Sequence, residues 1–391
     1  MVRGLDRVAI GLLSAGHFSV DLCQGAVPAM LPFFVYDRHL SYAAAAGLVL
    51  AQTVSSSVIQ PAFGYLTDRR PMPWLMPVGV AVAGLGIGAA TQAPTYLLIW
   101  TAIAASGIGV AAYHPEGARY ANYSSGQQRA TGMSIFAVGG NGGFAAGPLL
   151  ATPILLLFGL RGGWAIGLVP LAVAAVIALQ LRRIDGHRPA RLPVAAGTRD
   201  LLAERDDLPS FAKLGFVLLC RSVVFYGLNT FIPLYWIAGL HQSRGAGGVA
   251  LSVLLLTGIA GTLAGGQLAN RFGRKQVVLY ATLLTAPLIV ILLSTGNALL
   301  AGALLIPLAL AMYAPSSVAV LMGQDYLASR IGMASGVTLG LGISVGGLVA
   351  PALGYVGDRA GLHAALILLA VIPILSAAVV ATLPERRAGS R

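Results

Sequence analysis

Apolar residues run in long unbroken blocks along this chain, at approximately 8 to 35, 42 to 67, 74 to 92, 96 to 118, 130 to 158, 164 to 181, 210 to 238, 248 to 269, 276 to 295, 298 to 324, 331 to 356 and 363 to 383. Each block is near or above the ~20 residues a helix needs to cross a hydrocarbon core. The pattern therefore predicts an all-α membrane protein with twelve transmembrane helices. Most separators are only a few residues long, as at Asp68 to Pro73 and Arg271 to Lys275. One segment, 182–209, is polar and rich in Arg and Pro, and it divides the chain nearly in half. The expected organisation is an N-terminal six-helix bundle over 1–181, a cytoplasmic linker over 182–209, and a C-terminal six-helix bundle with a short cytoplasmic tail over 210–391.

Composition strengthens this picture. Hydrophobic residues make up 57% of the 391 positions and charged residues 10%, with a mean hydropathy of +0.81. Soluble domains carry roughly 25% charged residues, so an ordinary soluble protein is excluded. The net charge of +12 is spread between the apolar blocks rather than gathered on one face, which argues against a nucleic-acid partner. Counted over alternate connections, 20 Lys and Arg fall on one side and four on the other. The positive-inside rule then places both termini and the central loop in the cytoplasm, with the bilayer as solvent. The preponderance of Arg over Lys, with abundant Ala and Gly, points to a GC-rich bacterial source; the expected location is a bacterial inner membrane.

Arg3 and Arg7 before an apolar run look superficially like a secretory signal, but the run continues through His17 and Asp21 to Val35, which predicts a retained first helix. Cys23 and Cys220 sit inside apolar stretches, so they are expected to pack, and no disulfide, metal site or cofactor is anticipated. Glycine pairs such as Gly107-Ile-Gly109 do not lie between a strand and a helix, and no Walker loop is present. They read as helix-packing surfaces rather than nucleotide-binding loops, and no enzyme activity is expected.

The two halves repeat at an offset near 200 residues. Gly64-Tyr-Leu-Thr-Asp68-Arg69 recurs as Gly266-Gln-Leu-Ala-Asn270-Arg271, Arg129-Ala-Thr-Gly-Met133 recurs around Arg330 and Met333, and Gly147-Pro148 recurs as Ala350-Pro351. Such a repeat implies two similar bundles related by a pseudo-two-fold axis along the membrane normal, with a central site between them.

The loop motif Gly64-Tyr-Leu-Thr-Asp68-Arg69-Arg70 resembles the signature of the major facilitator superfamily, and its weaker copy falls where that family places it. Gln60-Pro61, Pro71-Met72-Pro73-Trp74, Tyr113-His114-Pro115-Glu116, Gly139-Gly140-Asn141 and Gly147-Pro148-Leu149-Leu150 resemble the fosmidomycin resistance group of efflux proteins within it. The resemblance implies the major facilitator fold and transport by alternating access. The first loop departs from the usual Gly-Arg-Arg ending, which the second keeps as Gly273-Arg274-Lys275. The arginine that many drug exporters carry in the fourth span would fall near Ile103, so coupling must be sought elsewhere.

Ionisable residues inside spans point to where. An Asp or Arg at a helix centre costs roughly 2.5–3.5 kcal/mol on insertion scales, and such residues mark functional sites. His17, Asp21 and Gln24 share one face of the first span, and Arg221, with Tyr226 and Asn229, lies in the seventh. Asp21 and His17 are expected to exchange a proton while Arg221 attracts an anionic substrate or pairs with Asp21; the alternative is a permanent structural ion pair. His114 and Glu116 in the fourth span are candidates for the inner part of a proton relay, the alternative being a helix end paired with Arg119 or Arg129. Gln52, Tyr113, Asn141 and Tyr313 are candidate path-lining residues.

Gly64, Asp68, Arg69, Asn270, Arg271, Asp325 and Arg330 form the expected cytoplasmic gate, with Asp68 latching onto the start of the eleventh span near Ile331. Gly147, Pro148 and Pro351 would bend or pack the gate-forming helices. The reading favoured by these residues is a proton-coupled efflux antiporter for a small molecule, expected as a monomer. A symporter or facilitator importing an organic anion, and a lipid-handling or sensor protein, remain as alternatives.

Overall fold

The computed structural model describes residues 4–188, 206–327 and 331–385. Those residues form helices α1 (Arg7–Arg38), α2 (Tyr42–Arg69), α3 (Leu75–Gln92), α4 (Tyr96–Ser124), α5 (Arg129–Phe158), α6 (Gly163–Leu179), α7 (Leu181–Asp185), α8 (Leu208–Ala238), α9 (Arg244–Phe272), α10 (Arg274–Ser294), α11 (Ala298–Tyr313), α12 (Pro315–Tyr326) and α13 (Ile331–Ala381). Among the described residues, ten helical stretches are long and apolar enough to cross a membrane. Large apolar side chains such as Leu157, Leu179 and Leu299 stand 75–86% exposed. Water would penalise such a surface at about 25 cal/mol per Å², whereas hydrocarbon does not.

The chain folds as two compact units, Met1–His39 with Gly47–Gly197, and Leu40–Ala46 with Thr198–Arg391. The short stretch at the start of α2 joins the second unit because the Asp358 carboxylate accepts the Tyr42 and Ala43 backbone N–H groups, at 2.7 and 3.0 Å.

Helix boundaries follow local chemistry. The apolar block at 298 to 324 divides into α11 and α12 because Pro315, at the first position of α12, has no N–H to continue the ladder. The run Ile331–Ala381 is broken at Gly361, whose φ of 84° and ψ of 158° are open to glycine and strained for other residues. Gly273, at φ 95°, is the whole connection between α9 and α10. The expected linker begins as helix: α7 is fastened to its unit by a Tyr120 hydroxyl donating to Asp185, at 2.6 Å. Residues 189–205 of that linker lie outside the described residues.

Side-chain caps mark the repeat more finely than the loop motifs do. Asp6 caps α1 by accepting from the Val8 and Ala9 N–H groups, and Asp207 caps α8 by accepting from Ser210. Their own N–H groups donate to the carbonyls of Ser124 and Tyr326, at the ends of α4 and α12. Thr95 and Asn297 cap α4 and α11 in the same paired way, and Ser41 and Ser243 accept from Ala44 and Ala246 at 3.1 Å each. Each such cap is worth about 1 kcal/mol.

Asp6 also meets Arg183 and His187, each at 3.0 Å. Burial alone would raise its carboxyl; the Arg183 and His187 side chains and the Ala9 N–H outweigh that and hold it well below the usual carboxylate range.

In the first unit α1 lies directly on α5. Gly139, Gly143 and Gly147 present bare backbone to the Ser14 carbonyl, the Phe18 carbonyl and Gly25. A small residue at every fourth position lets two helices meet backbone to backbone, the usual solution where lipid supplies no hydrophobic drive. The second unit repeats the contact, with Gly346 against the Ser222 carbonyl and its N–H donating to Ser222 Oγ at 3.0 Å.

A carboxylate held between two imidazoles

The close approach of α1, α4 and α5 assembles a site in the first unit. His17 and Asp21 stand one turn apart on α1, with His17 Nε2 3.4 Å from Asp21 Oδ2. From α4, His114 brings its Nε2 to 3.3 Å from Asp21 Oδ1. The two imidazoles meet edge to face, centroids 5.0 Å apart, and His17 stacks on Phe136 of α5 at 4.2 Å. Gly140 forms the roof: a Cβ there would lie 2.4 Å from His17 Nε2 and 2.7 Å from Asp21 Oδ2.

Backbone carbonyls set the state of both rings. His17 Nδ1 faces the Phe136 carbonyl at 2.8 Å, and His114 Nδ1 faces the Val110 carbonyl at 3.0 Å. A carbonyl only accepts, so each Nδ1 carries the proton and a neutral ring turns the lone pair of Nε2 toward Asp21. Asp21 Oδ1 is buried and accepts no hydrogen bond. With both rings neutral three acceptor atoms converge, and a proton on either imidazole turns its Nε2 into a donor to the carboxylate.

Glu116 takes a different place. It is fully buried, its Oε1 accepts the Met72 N–H at 2.7 Å, and its Oε2 lies 3.4 Å from Arg119. Arg119 in turn donates to the Thr67 carbonyl at the end of α2. The structure thus separates Glu116 from His114, because residues two apart on a helix point to different faces. Tyr113 is also fully buried; its hydroxyl donates to the Leu13 carbonyl, and its ring lies between Gly16 and Gly117. Gln52 donates to the Cys23 carbonyl at 3.2 Å, Gln24 is half-buried, and Asn141 is exposed.

The second unit holds Arg221. One guanidinium nitrogen donates to Ser316 Oγ at 2.5 Å, while its buried Nε has no hydrogen-bond partner. Tyr226 and Tyr313 lie within reach of its charge, and Asn229 donates to the Phe225 carbonyl at 2.7 Å. Beside Arg221 is an apolar cavity lined by Val217, Leu218, Val224 and Met312.

Of the expected gate residues, Arg69 stacks over Tyr65, Arg271 lies over Phe272, and Asn270 is exposed. A Cβ at Gly64 would lie 4.0 Å from the Pro115 side chain. Asp325 pairs with Arg274, an ion pair that sequence spacing did not suggest. The Asp68 side chain and Arg330 lie outside the described residues.

A fold of long apolar helices in two internally similar units, with ionisable side chains buried inside them, is that of a membrane transporter. A family model, the Major Facilitator Superfamily, matches residues 13–241 and 214–391, and the chain belongs to that family. It is 32% identical to the uncharacterized MFS-type transporter YfnC of Bacillus subtilis (strain 168), covering 92% of this chain and 88% of that protein. It is 28% identical to the fosmidomycin resistance protein of Escherichia coli (strain K12), over 97% of this chain and 93% of that one. Among solved structures, a bacterial homolog of the human lysosomal transporter Spinster, inward-facing and occupied, superposes with a TM-score of 0.81 at 14% identity, covering 97% of this chain and 98% of that chain. The nucleoside transporter NupG gives a TM-score of 0.76 at 13% identity, covering 97% of this chain and all of the other. The protein is a multi-pass membrane protein of a transporter family.

Proposed function

We propose that the chain is a proton-coupled antiporter that exports a small polar or anionic compound across a bacterial inner membrane by alternating access. Counting Thr131–Leu179 as two spans and dividing α13 at Gly361 gives twelve spans in two six-helix bundles, with both termini cytoplasmic.

The observation that carries the reading is the convergence of Asp21 with the Nε2 lone pairs of His17 and His114. A proton shared among these three groups makes an imidazolium–carboxylate hydrogen bond, and losing it leaves a buried charge beside two neutral rings. In this scheme Arg221 attracts the anionic substrate, with Tyr226, Asn229 and Tyr313 around it. Glu116 serves as an anchor for the 70–73 connection. Gly64, Asp68, Arg69, Asn270, Arg271, Asp325 and Arg330 make up the cytoplasmic gate. One charge crossing 100 mV is worth about 2.3 kcal/mol, enough for a roughly fifty-fold gradient per coupled proton.

The test is counterflow in proteoliposomes under an imposed pH gradient, with a panel of phosphonates, sugars and antibiotics. Fosmidomycin belongs in the panel because a relative is named for resistance to it. Substrate moving against protons, and losing that drive in Asp21→Asn, supports the antiporter. Uptake in the direction of the proton identifies the symporter instead.

A further inference from the structure

The first-unit cluster has the geometry of a second kind of cation site. We propose that His17, Asp21 and His114 bind a divalent transition-metal ion of the zinc class, through the two Nε2 atoms and the carboxylate. Sequence spacing concealed this set, since its ligands come from helices nearly a hundred residues apart.

The separations argue for a shared ion. One ligand atom from each of the three residues falls in a group whose members all lie within 4.8 Å of one another. The Nε2 to oxygen distances of 3.4 and 3.3 Å exceed the usual N–H···O range of 2.7–3.2 Å. Two ligands each about 2.0–2.1 Å from one tetrahedral ion stand roughly 3.3 Å apart; each imidazole already has that spacing from one carboxylate oxygen, His17 from Oδ2 and His114 from Oδ1, and an ion would draw the two rings onto a common centre. Asp21 Oδ1 is buried and makes no hydrogen bond of good geometry, its one near neighbour being His114 Nε2 at 3.3 Å, so an ion between the two would satisfy it.

The surroundings argue the same way. A ligating histidine nearly always donates its other ring N–H to a carbonyl or carboxylate, which orients the ring and raises its basicity. Both histidines do so here, to Phe136 and Val110. His17 is further held by its stack on Phe136, and Gly140 leaves clear the space over Nε2 and Oδ2.

Two imidazole nitrogens and one carboxylate suit zinc, nickel, iron or copper. They do not suit magnesium or calcium, which take six or more oxygen ligands. Three protein ligands leave a coordination position open, to a water or to an acidic group of a transported compound. Binding needs no gradient and no substrate, so it stands or falls separately from the transport reading.

The experiment uses the full-length protein in detergent, any affinity tag removed, titrated with Co²⁺ as a coloured probe and then with Zn²⁺ to displace it. One ion per chain, with the visible absorption of four- or five-coordinate cobalt, is expected. X-ray absorption of the zinc-loaded wild type should show two imidazoles in the metal shell, and this measurement requires no variant to fold. Asp21→Asn and His114→Gln should weaken binding at least tenfold to a hundredfold, while His241→Gln, at an exposed histidine, should bind as the wild type does. No uptake of either ion, a shell without imidazole, or unchanged affinity in a folded His17→Gln, Asp21→Asn double variant would overturn the assignment.

Discussion

The two units share a frame and differ in what they bury within it. Asp6 and Asp207 cap matching helices, Thr95 and Asn297 cap another matching pair, and a glycine of α5 or α13 meets a carbonyl of α1 or α8 in each. The offset of 201 between Asp6 and Asp207, repeated between Pro32 and Pro233, pairs Asp21 with Ser222 and leaves Arg221 one residue away, opposite Val20. In the first unit that position carries a carboxylate facing two imidazoles; in the second it carries a hydroxyl that binds the Gly346 N–H, with a guanidinium alongside. The two units thus share the contacts that hold their helices together and differ in the ionisable groups they bury, a carboxylate with two imidazoles in one and a guanidinium in the other.

The largest test of this contrast exchanges matching positions. Asp21→Asn should reduce gradient-driven counterflow to background, whereas Ser222→Ala, read in the same proteoliposomes, should retain most of it. Arg221→Ala should weaken binding of anionic compounds about tenfold to a hundredfold, the 1.5–3 kcal/mol of a hydrogen bond to a charged group. Neutral analogues, measured by the same equilibrium binding assay, should lose much less; an equal loss for both would remove charge recognition from the second unit.

Smaller effects probe the frame. Gly140→Ala forces a methyl against His17 and Asp21, and should destabilise by about 1–3 kcal/mol. Gly142→Ala, whose nearest neighbour is the Phe18 ring at 3.8 Å, should be close to neutral in the same thermal denaturation. Asp6→Asn keeps a good cap but removes the charge facing Arg183 and His187, and should lower stability by about 0.2–1 kcal/mol at neutral pH. Because the folded carboxyl is held below its usual value, its contribution is complete above the ordinary carboxylate range of about 4 and fades as pH falls through the lowered value. The gap between wild type and Asp6→Asn should therefore close in acid, and a gap that widens there would contradict the Arg183 and His187 contacts.

Much of the architecture was legible in apolar block length alone, because a bilayer demands long helices whatever their partners. The loop motif and the repeat were legible as well. What escaped depends on contacts across sequence. The caps at Asp6 and Asp207 carry no periodicity, and only the returning carbonyls of Ser124 and Tyr326 reveal them as a matched pair. Proximity in sequence pairs His114 with Glu116, yet two residues along a helix turn side chains about 200° apart. Asp21 lies on another helix, and no local signal joins it to His114.

The Glu116 anchor has a bearing on protein engineering. The connection that departs from the family's usual Gly-Arg-Arg ending is tied, at Met72, to an acid in a different helix. A chimaera that restores the common loop while keeping Glu116 would replace Pro71 and Pro73, the two rigid residues that hold the position-72 N–H against its carboxylate. Transplants between relatives should accordingly move the loop and that single α4 residue together, as one inherited cassette.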